Sequence, residues 1–336
     1  MIKLLELFGG IGSPRMATEN LNLEIKSIDY VEILPYAVTA YNRMFDHLYK
    51  PQDVRDWNLN VDLLVHGSPC QDWSKNGKND ISTGRSILFE RTLQIIEHEL
   101  HPRPKVVIWE NVTGLVSKKH VRHFEHYIST MEQLGYSNSF KILNSSNYGM
   151  AQNRDRIFTV SILGDEDLDF EFPKEKPLTK FLNDYIDRTV NPSDYALSEN
   201  ELSLFFERDG QLYIRENTIA GERLVEEGDS INVEFPTSKT RRGRVQKGMV
   251  PTLTTSPQIA VYYDGILRKI TPLECWRLMG YKDVDFNRVA NDDMPVGALY
   301  KLAGNSIVVG VLEAILEALI NQGFLIPSEG QLELIC

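Results

Sequence analysis

Short apolar segments alternate with helical patterns through the first third of the chain, and this alternation restricts the fold more than any other feature. The apolar runs, which are typical of strands buried on both faces, lie at residues 4–8, 25–31, 61–65 and 106–109. Helical patterns separate them at residues 14–20, 33–43 and 87–99. Strands and helices that alternate at this interval predict an α/β fold with a doubly wound, mostly parallel sheet and right-handed crossovers.

The alternation fails from residue 165 to about residue 250, where acids, turn residues and basic residues cluster. It recovers after residue 268, and residues 307–321 have helical spacing behind Asn305 and Ser306, either of which is suited to cap a helix. A chain of 336 residues fits one large and one small domain. We therefore predict a large domain from residues 1–164 and 266–336, and a second, smaller domain from residues 165–265.

Composition narrows the class of protein. Hydrophobic residues make up 42% and charged residues 25%, as in ordinary globular proteins. The chain opens without a basic leader and contains no uninterrupted apolar run near ~18 residues, so we expect a cytoplasmic protein without a membrane span. Its three cysteines, Cys70, Cys275 and Cys336, are widely spaced and odd in number. This pattern argues against a disulfide framework and a zinc site, and no metal is expected.

The charge distribution matters for the choice of partner. The net charge of -11 argues against nucleic acid, because phosphate binding depends on Lys and Arg. Residues 239–247, however, contain five basic side chains and no acid. This basic segment is equally compatible with a solvated loop and with a phosphate-binding surface.

Chemically distinctive residues follow the predicted strands, and ligands of such sheets bind outside the carboxyl ends of the strands. Residues 9–12 read Gly-Gly-Ile-Gly after the first strand, and Glu32 follows the second. Arg15 stands where a dinucleotide fingerprint has its third glycine, so an adenosyl ligand without a pyrophosphate fits better than NAD. Glu32 suits a pair of ribose hydroxyls. A packed turn with a surface glutamate is the alternative.

Two further candidates are expected at the same edge, and a third group lies later in the chain. Cys70 follows a buried strand and Glu110 ends another, the arrangement that a nucleophile and a general acid require. A buried thiol and a turn-capping acid are the structural alternatives. In an extended segment, side chains of Gln152, Arg154 and Arg156 share one face, which predicts either a cluster of donors or a salt-bridged edge strand.

The order and spacing of these pieces resemble the cytosine-5 DNA methyltransferases of bacteria and phages. The matching motifs, in the family's order, are residues 7–12, Ser68-Pro69-Cys70-Gln71, Glu110-Asn111-Val112, residues 147–149, Gln152-x-Arg154-x-Arg156, residues 251–255, 268–280 and 304–307. The resemblance implies an S-adenosylmethionine-dependent methyltransferase fold. It also assigns target recognition to the smaller domain.

For the reaction, the resemblance implies that Cys70 attacks carbon 6 of a cytosine flipped out of duplex DNA. Glu110 then engages the ring nitrogen N3 and the amino group, and Arg156 holds the exocyclic oxygen. Arg154 helps to position water, and Gln152 belongs to the same motif. Residues 71–84 form a lid, from which Ser74 reaches the DNA.

For the cofactor, the resemblance implies that S-adenosylmethionine contacts the glycine turn and neighbouring side chains. Glu32 binds the ribose, and Asp53 binds the adenine amino group. The other expected contacts are Phe8, Gly10, Ile11, Gly12, Ile33, Val54, Pro69, Leu88, Asn305 and Ser306. Ile33 departs from the aromatic residue of many members, which predicts weaker cofactor binding.

For DNA, the expected contacts are Lys239, Arg241, Arg242, Arg244 and Thr254, with strongly salt-dependent binding by a monomer. A restriction-modification context fits a bare catalytic unit of this kind. Three other readings stay open. The branch of the family that methylates transfer RNA carries a Cys-Phe-Thr signature that this chain lacks. A catalytically inactive DNA-binding homologue would usually lose Cys70 or Glu110, and a dehydrogenase would use only the glycine turn.

Overall fold

The computed structural model describes residues 2–58, 61–68, 87–98, 102–164, 168–240 and 242–326. The chain divides into two compact units. The first comprises Met1–Asn144, Asp155–Glu175 and Ser306–Cys336, and the second comprises Ser145–Arg154 and Lys176–Asn305. The second unit thus includes residues 266–305, which the sequence assigned to the larger domain. The functional domain boundaries stay a prediction.

The strands have the following bounds: Ile2–Leu7 (β1), Ile25–Val31 (β2), Leu63–His66 (β3), Val106–Val112 (β4), Tyr136–Asn144 (β5), Gln152–Asn153 (β6), Asp155–Leu163 (β7), Phe205–Arg208 (β8), Gln211–Arg215 (β9), Glu222–Leu224 (β10), Asp229–Asn232 (β11), Arg244–Lys247 (β12), Val250–Pro251 (β13), Ile259–Tyr263 (β14) and Ile266–Lys269 (β15).

The α-helices are Ser13–Asn20 (α1), Pro35–Phe45 (α2), Ile87–Glu97 (α3), Val121–Gln133 (α4), Glu199–Leu202 (α5), Pro272–Met279 (α6), Asp283–Val289 (α7), Val296–Asn305 (α8) and Val309–Asn321 (α9). Short 3-10 helices occur at Val54–Asp56, Thr113–Val116, Ser145–Asn147, Leu182–Asp184 and Pro192–Tyr195.

The first unit is built on a six-stranded sheet with the order β2-β1-β3-β4-β7-β5. The pairs β1–β2, β1–β3 and β3–β4 are parallel, whereas β7 is antiparallel to both β4 and β5. Five strands therefore run in one direction and β7 alone opposes them. This arrangement confirms the mostly parallel sheet that the alternating pattern predicts.

Helices cover both faces of this sheet. On one face, Leu5, Leu64 and Val107 join a core with Phe89 of α3 and Tyr127 of α4. The next residue along β1 points to the opposite face, because side chains alternate along a strand. There, Glu6 contacts Tyr41 of α2 and the backbone of α1. The sheet is therefore doubly wound, as predicted.

Several element bounds differ from the expectations. The helix predicted at residues 33–43 begins at Pro35, whose fixed backbone suits the first turn. The expected cap of the last helix is wrong: α9 begins after Val308 and has no side-chain cap, because Asn305 ends α8 instead. By length and composition Val296–Asn321 would also pass as a membrane span, but 61% of its apolar window is buried inside the protein, as in core helices of soluble proteins.

The second unit contains small antiparallel sheets in the orders β10-β9-β8 and β12-β11-β14-β15, and a parallel pair β13–β6. A compact core, which includes Ile214, Ile231 and Ala260, joins the two antiparallel sheets. Within this unit, a fully buried ion pair joins Arg268 and Glu274 at 2.5 Å. Most of the irregular sequence, from residue 176 onward, thus belongs to a unit with its own core, to which β14 also contributes.

Candidate active site

The glycine turn leaves β1 with a backbone that favours glycine. Gly10 and Gly12 have φ angles of 53° and 75°, in the left-handed region. A Cβ atom on Gly12 would lie 2.6 Å from the ring of Tyr41, whereas one on Gly10 would meet no atom within 4 Å. The turn is thus packed tightly beneath Gly12 and open at Gly10, where a ligand has room to approach the backbone.

Glu32 follows β2 and closes the turn from the side. Its carboxylate accepts hydrogen bonds from the amides of Gly10 at 3.1 Å and Leu34 at 2.9 Å. The residue is 9% exposed, and this burial raises its pKa, although the amide hydrogen bonds oppose the shift. The carboxylate oxygens keep acceptor capacity beyond these backbone bonds. The residues present therefore fit an adenosyl ligand whose ribose hydroxyls reach Glu32 beside an open glycine backbone.

Asp53 and Val54 form a short turn beside Glu32. The amide of Gln52 donates to the carbonyl of Glu32 at 2.8 Å, which ties this turn to the end of β2. Asp53 caps the turn and pairs with Arg55 at 2.5 Å, and this hydrogen-bonded partner lowers the pKa of Asp53. Val54 is buried in the core against which Leu88 packs.

The remaining predicted cofactor residues have varied surroundings. Phe8 and Leu88 are half-buried, Ile11 is buried, and Ile33 is 55% exposed. Asn305 is exposed at the end of α8, and Ser306 is buried. Pro69 lies outside the described residues. The structure therefore brings Gly10, Glu32 and the Asp53 turn together by direct hydrogen bonds and leaves the rest of the cofactor set as predictions.

Glu110 and Arg156 form an ion pair at the sheet edge. The Arg156 Nε atom lies 3.1 Å from a Glu110 carboxylate oxygen, and the side chains are 17% and 12% exposed. Glu110 does not end its strand, as the sequence suggested, because pairing with β7 extends β4 to Val112. The antiparallel partner strand also supplies Arg156. An acid and a hydrogen-bond donor thus face one partly exposed position.

The end of β3 is fixed next to this pair. Ser68 accepts hydrogen bonds from the indole of Trp109 at 3.1 Å and from the Asn111 side chain at 3.3 Å. A Cβ atom on Gly67 would lie 3.6 Å from the second oxygen of Glu110. Ser68 precedes Cys70 by two residues in the sequence, but Cys70 and Ser74 lie outside the described residues.

Beneath the same strand end, His66 is buried and stacks on Trp109 with a ring separation of 5.7 Å. Burial lowers the pKa of His66 to about 3, so its ring is neutral at neutral pH. One ring nitrogen contacts the Tyr127 hydroxyl at 3.2 Å. We did not predict roles for Ser68, Asn111 or His66 from the sequence, although Ser68 and Asn111 lie within motifs quoted there and His66 shortly precedes one.

Gln152 and Arg154, in the second unit, bind backbone groups. The amide group of Gln152 donates to the carbonyl of Leu278 at 3.2 Å and accepts from the amide of Leu253 at 3.1 Å. Arg154 donates to the carbonyls of Leu253 and Gly304 at 3.2 and 3.1 Å. Burial alternates along this segment as predicted, with Gln152 and Arg154 buried and Asp155 exposed.

The predicted DNA contacts are largely accessible. Lys239, Arg244 and Thr254 are exposed, whereas Arg242 is half-buried. Arg241 lies outside the described residues. A Cβ atom on Gly243 would lie 2.2 Å from the Arg215 carbonyl, so the basic segment packs closely on the end of β9.

The remaining cysteines and the possible metal ligands were also located. Cys275 is buried and unpaired, and burial raises the pKa of its thiol, in keeping with a structural role; Cys336 lies outside the described residues. Over the part of the chain that the structure describes, no cluster of three His, Cys, Asp or Glu residues is suited to hold a metal ion.

The chain is similar to known proteins along most of its length. The profile of the family described as C-5 cytosine-specific DNA methylase matches residues 2–321. Among curated proteins, the type II methyltransferase M2.ScrFI of Lactococcus lactis subsp. cremoris is 28% identical, over 95% of this chain and 99% of its own length. The type II methyltransferase M.HhaI of Haemophilus parahaemolyticus is also 28% identical, over 94% of this chain and 93% of its own length.

Solved structures with the same fold include the S. pombe Dnmt2 methyltransferase, with a TM-score of 0.67, 19% identity and coverage of 96% of this chain and 99% of that one. A putative DNA modification methyltransferase encoded within an E. coli prophage has a TM-score of 0.67 and 17% identity, over 96% of this chain and 99% of that one. These similarities extend along both compact units.

Proposed function

The chain belongs to the C-5 cytosine-specific DNA methylases, and from this premise we propose that it methylates carbon 5 of cytosine in a specific sequence of duplex DNA. The observation that carries the proposal is the Glu110–Arg156 pair, which lies beside the anchored strand end that precedes Cys70 in the sequence. An acid, a guanidinium and a thiol are the groups that nucleophilic activation of cytosine requires.

In the proposed reaction, the Cys70 thiolate forms a bond to carbon 6 of a cytosine that has left the duplex. As the thiolate adds, Glu110 donates a proton to N3 and accepts a hydrogen bond from the exocyclic amino group, and it takes the proton back when the thiolate leaves; Arg156 donates to the exocyclic oxygen. This addition makes carbon 5 nucleophilic. After methylation, a base removes the proton from carbon 5, and the electron pair of that bond restores the ring double bond as the thiolate leaves carbon 6.

The ion pair fixes the position of Glu110. Arg156 holds one carboxylate oxygen, and the other faces Gly67, where the missing side chain leaves space. Because both residues are on adjacent strands of a packed sheet, their separation is fixed before the substrate arrives, which lowers the cost of organising the transition state.

S-adenosylmethionine, when bound, supplies the methyl group activated by its sulfonium. We propose that Gly10 and Glu32 hold its adenosyl part, with Asp53 on the adenine amino group and Phe8, Ile11, Gly12, Ile33, Val54, Pro69, Leu88, Asn305 and Ser306 around it. The support is the open backbone at Gly10 and the buried carboxylate that contacts it. These residues orient the ligand and exclude water from one side.

We assign the second unit to DNA recognition. Lys239, Arg244 and Thr254 are exposed on it, and Arg242 is half-buried. Gln152 and Arg154 fix the backbone that carries Thr254, since both bind the adjacent residue Leu253. They therefore act on recognition through the main chain. Arg241 and Ser74 complete the proposed contacts.

Methyl transfer from radiolabelled S-adenosylmethionine to duplex DNA, single-stranded DNA and transfer RNA tests the proposal. We expect label in duplex DNA alone, at 5-methylcytosine on nuclease digestion, with Cys70→Ala as the inactive control. Label in transfer RNA alone would support the RNA alternative. DNA binding without any methyl transfer would instead identify an inactive homologue.

A further inference from the structure

The chain leaves the parallel ladder just before it reaches the candidate active site. Within the described residues, the pairing of β3 with β4 ends at His66 and Trp109. Strand β4 continues to Val112 by pairing with β7 on its other side. The backbone of Gly67 and Ser68 is therefore held beside β4 by contacts other than those of the ladder.

The side chain of Trp109 supplies one of these contacts. Its indole Nε1 donates to the Ser68 hydroxyl oxygen at 3.1 Å, and the two residues are 2% and 4% exposed. A buried indole N–H has no water to bind, so the loss of its acceptor is costly. The Asn111 side chain also donates to the Ser68 carbonyl at 3.3 Å. Ser68 is thus bound through its side chain as well as its main chain.

The direction of the indole is fixed by the aromatic rings that surround it. The centroid of the Trp109 ring lies 4.0 Å from that of Tyr127, 5.7 Å from that of His66 and 6.1 Å from that of Phe124. His66 is held in turn, since one of its ring nitrogens contacts the Tyr127 hydroxyl at 3.2 Å. A ring packed on several sides has little freedom to rotate. The indole N–H is therefore directed at Ser68 before any substrate binds.

Trp109 lies next to Glu110 in the chain but on the opposite face of the sheet, because side chains alternate along a strand. The indole joins the core that includes α3 and α4, whereas Glu110 pairs with Arg156 at the partly exposed edge. Trp109 is thus placed to act on the reaction through Ser68 rather than by touching a substrate.

The position of Ser68 allows it to transmit such an effect. A Cβ atom on the preceding Gly67 would lie 3.6 Å from a Glu110 carboxylate oxygen, so this main chain passes close to the acid. Cys70 follows Ser68 by two residues in the sequence. The indole bond to Ser68 therefore fixes how far Glu110 lies from the main chain that leads to the proposed nucleophile.

We propose that Trp109 is a positioning residue: its indole holds Ser68, and this bond sets the separation between Glu110 and the main chain that leads to Cys70. The inference rests on the proposed function, because the separation matters for a reaction that uses both groups. Misplacement of reacting groups by about 1 Å can lower a rate by about 100-fold. Loss of the bond should therefore slow the addition of the thiolate to carbon 6 and leave ligand binding unchanged.

A double-mutant cycle tests the proposal in the full chain. Trp109→Phe removes the N–H donor and keeps an aromatic ring, Ser68→Ala removes the acceptor, and a third protein combines the two changes. With saturating S-adenosylmethionine, single-turnover formation of the covalent adduct is followed on duplex DNA in which 5-fluorocytosine replaces cytosine. Affinities for the cofactor and for the DNA, and the free energy of unfolding in urea, are measured on the same proteins.

Tyr136→Phe is the matched control. It removes another buried side-chain bond of the same unit, from the Tyr136 hydroxyl to the Pro104 carbonyl at 2.7 Å, next to the opposite end of β4. This change should lower the free energy of unfolding without slowing adduct formation. A role of Trp109 in stability alone predicts that its variants behave in the same way.

We expect each single change in the pair to slow adduct formation by about 10- to 100-fold, while the affinities for cofactor and DNA stay within about twofold of the wild type. The double variant should be no slower than the slower single variant, because both changes remove the same bond. Folded variants that react at the wild-type rate would overturn the inference. So would a double variant whose effect is the product of the two single effects.

Two further outcomes are distinguishable. A wild type that forms no adduct on this DNA would overturn the proposed function and the inference with it, whereas an active wild type with equally active variants would overturn the inference alone. Should Trp109→Phe fail to fold, Ser68→Ala decides the question, since it deletes a single oxygen atom. A rate within about twofold of the Tyr136→Phe control would then contradict the role of the bond.

Discussion

Each compact unit contains a fully buried glutamate, Glu6 in the first and Glu274 in the second, and the two residues have opposite surroundings. Glu274, in the second unit, pairs with Arg268 at 2.5 and 3.0 Å and accepts hydrogen bonds from the amides of Asp187 and Thr271. Glu6, in the first unit, has hydrogen bonds but no guanidinium bonded to it among the described residues. The charge of Glu274 is thus neutralised by an arginine, whereas Glu6, under the glycine turn, is bonded only to uncharged donors.

Two arginines that are close in the sequence, Arg154 and Arg156, also differ in their surroundings. Arg154 is buried and bonds to backbone carbonyls of the second unit, which is a structural use of a guanidinium. Arg156 is partly exposed and pairs with Glu110, where a ligand has access. Arg156 is therefore available to a ligand beside Glu110, whereas Arg154 holds the backbone of the second unit.

The largest expected effect is on catalysis by the partly exposed Glu110–Arg156 pair. Glu110→Gln should lower kcat by about 10²–10⁴-fold, because the amide cannot supply a proton to N3, while the affinity for S-adenosylmethionine stays the same. Single-turnover methyl transfer and equilibrium binding measure the two quantities. Glu125→Gln, an exposed change in α4 of the same unit, serves as the control. A kcat within about twofold of the wild type would remove Glu110 from the mechanism.

Replacing Glu274 and Glu6 by glutamine should change the free energy of unfolding in opposite directions. Glu274→Gln leaves Arg268 without its charged partner and should lower the free energy of unfolding by about 3–5 kcal/mol at any pH near neutrality. Glu6 has a folded pKa near 7, above its ordinary value of 4.5. Its neutral form therefore contributes stability that is fully present below about pH 4.5 and is lost as pH rises through about 7.

Glu6→Gln should remove this component, so that the variant gains about 3 kcal/mol relative to the wild type between acid and mildly alkaline pH. Urea denaturation at a series of pH values measures it for both variants. If Glu6→Gln and the wild type follow parallel stability curves, Glu6 does not titrate as the contrast requires.

The next prediction compares the loss of stability when Arg154 or Arg156 is replaced. Arg154→Met removes two charge-assisted bonds to backbone carbonyls and should cost about 3 kcal/mol of unfolding free energy, whereas Arg156→Met should cost about 1 kcal/mol and chiefly lower kcat. Denaturation and methyl-transfer rates on both variants separate these effects. Equal losses of stability would show that the two guanidiniums do not divide their roles between structure and chemistry.

The smallest effect concerns the basic segment. Replacing Lys239 and Arg244 by alanine should reduce the slope of log affinity against log salt for duplex DNA by about 1.8 and weaken binding at low salt. Arg188→Ala, which removes an exposed arginine paired with Asp264 at 3.0 Å, is the control within the same unit. A salt slope that the double variant leaves unchanged would place the DNA contacts elsewhere.

The sequence predicts the sheet of the first unit well, because the alternation of apolar strands and helices is visible in short stretches of the chain. Apolar runs mark the strands, and parallel topology brings their carboxyl ends to one edge, so Glu32 and the glycine turn are found together. The extension of β4 past Glu110 was missed, because pairing with a distant strand, β7, determines where β4 ends.

The sequence is less informative about long-range hydrogen bonds. Nothing local indicates that Gln152 binds the carbonyl of Leu278 or that Arg154 reaches Gly304, since these partners are far apart in the chain. The cap of α9 was wrongly predicted because α8 extends to Asn305, so that α9 begins only after Val308. Glu6 could have been noticed, because an acid in the run Leu4-Leu5-Glu6-Leu7 breaks the apolar pattern of a strand buried on both faces.

Trapping on 5-fluorocytosine tests the central claim most directly. The protein is incubated with S-adenosylmethionine and duplex DNA in which 5-fluorocytosine replaces cytosine, and products are separated on a denaturing gel and mapped by peptide mass spectrometry. Because fluorine cannot leave as the proton does, we predict a stable covalent adduct on Cys70, absent from Cys70→Ala and weaker in Glu110→Gln. Methylation of ordinary duplex DNA without any trapped adduct on Cys70 would contradict the proposed mechanism.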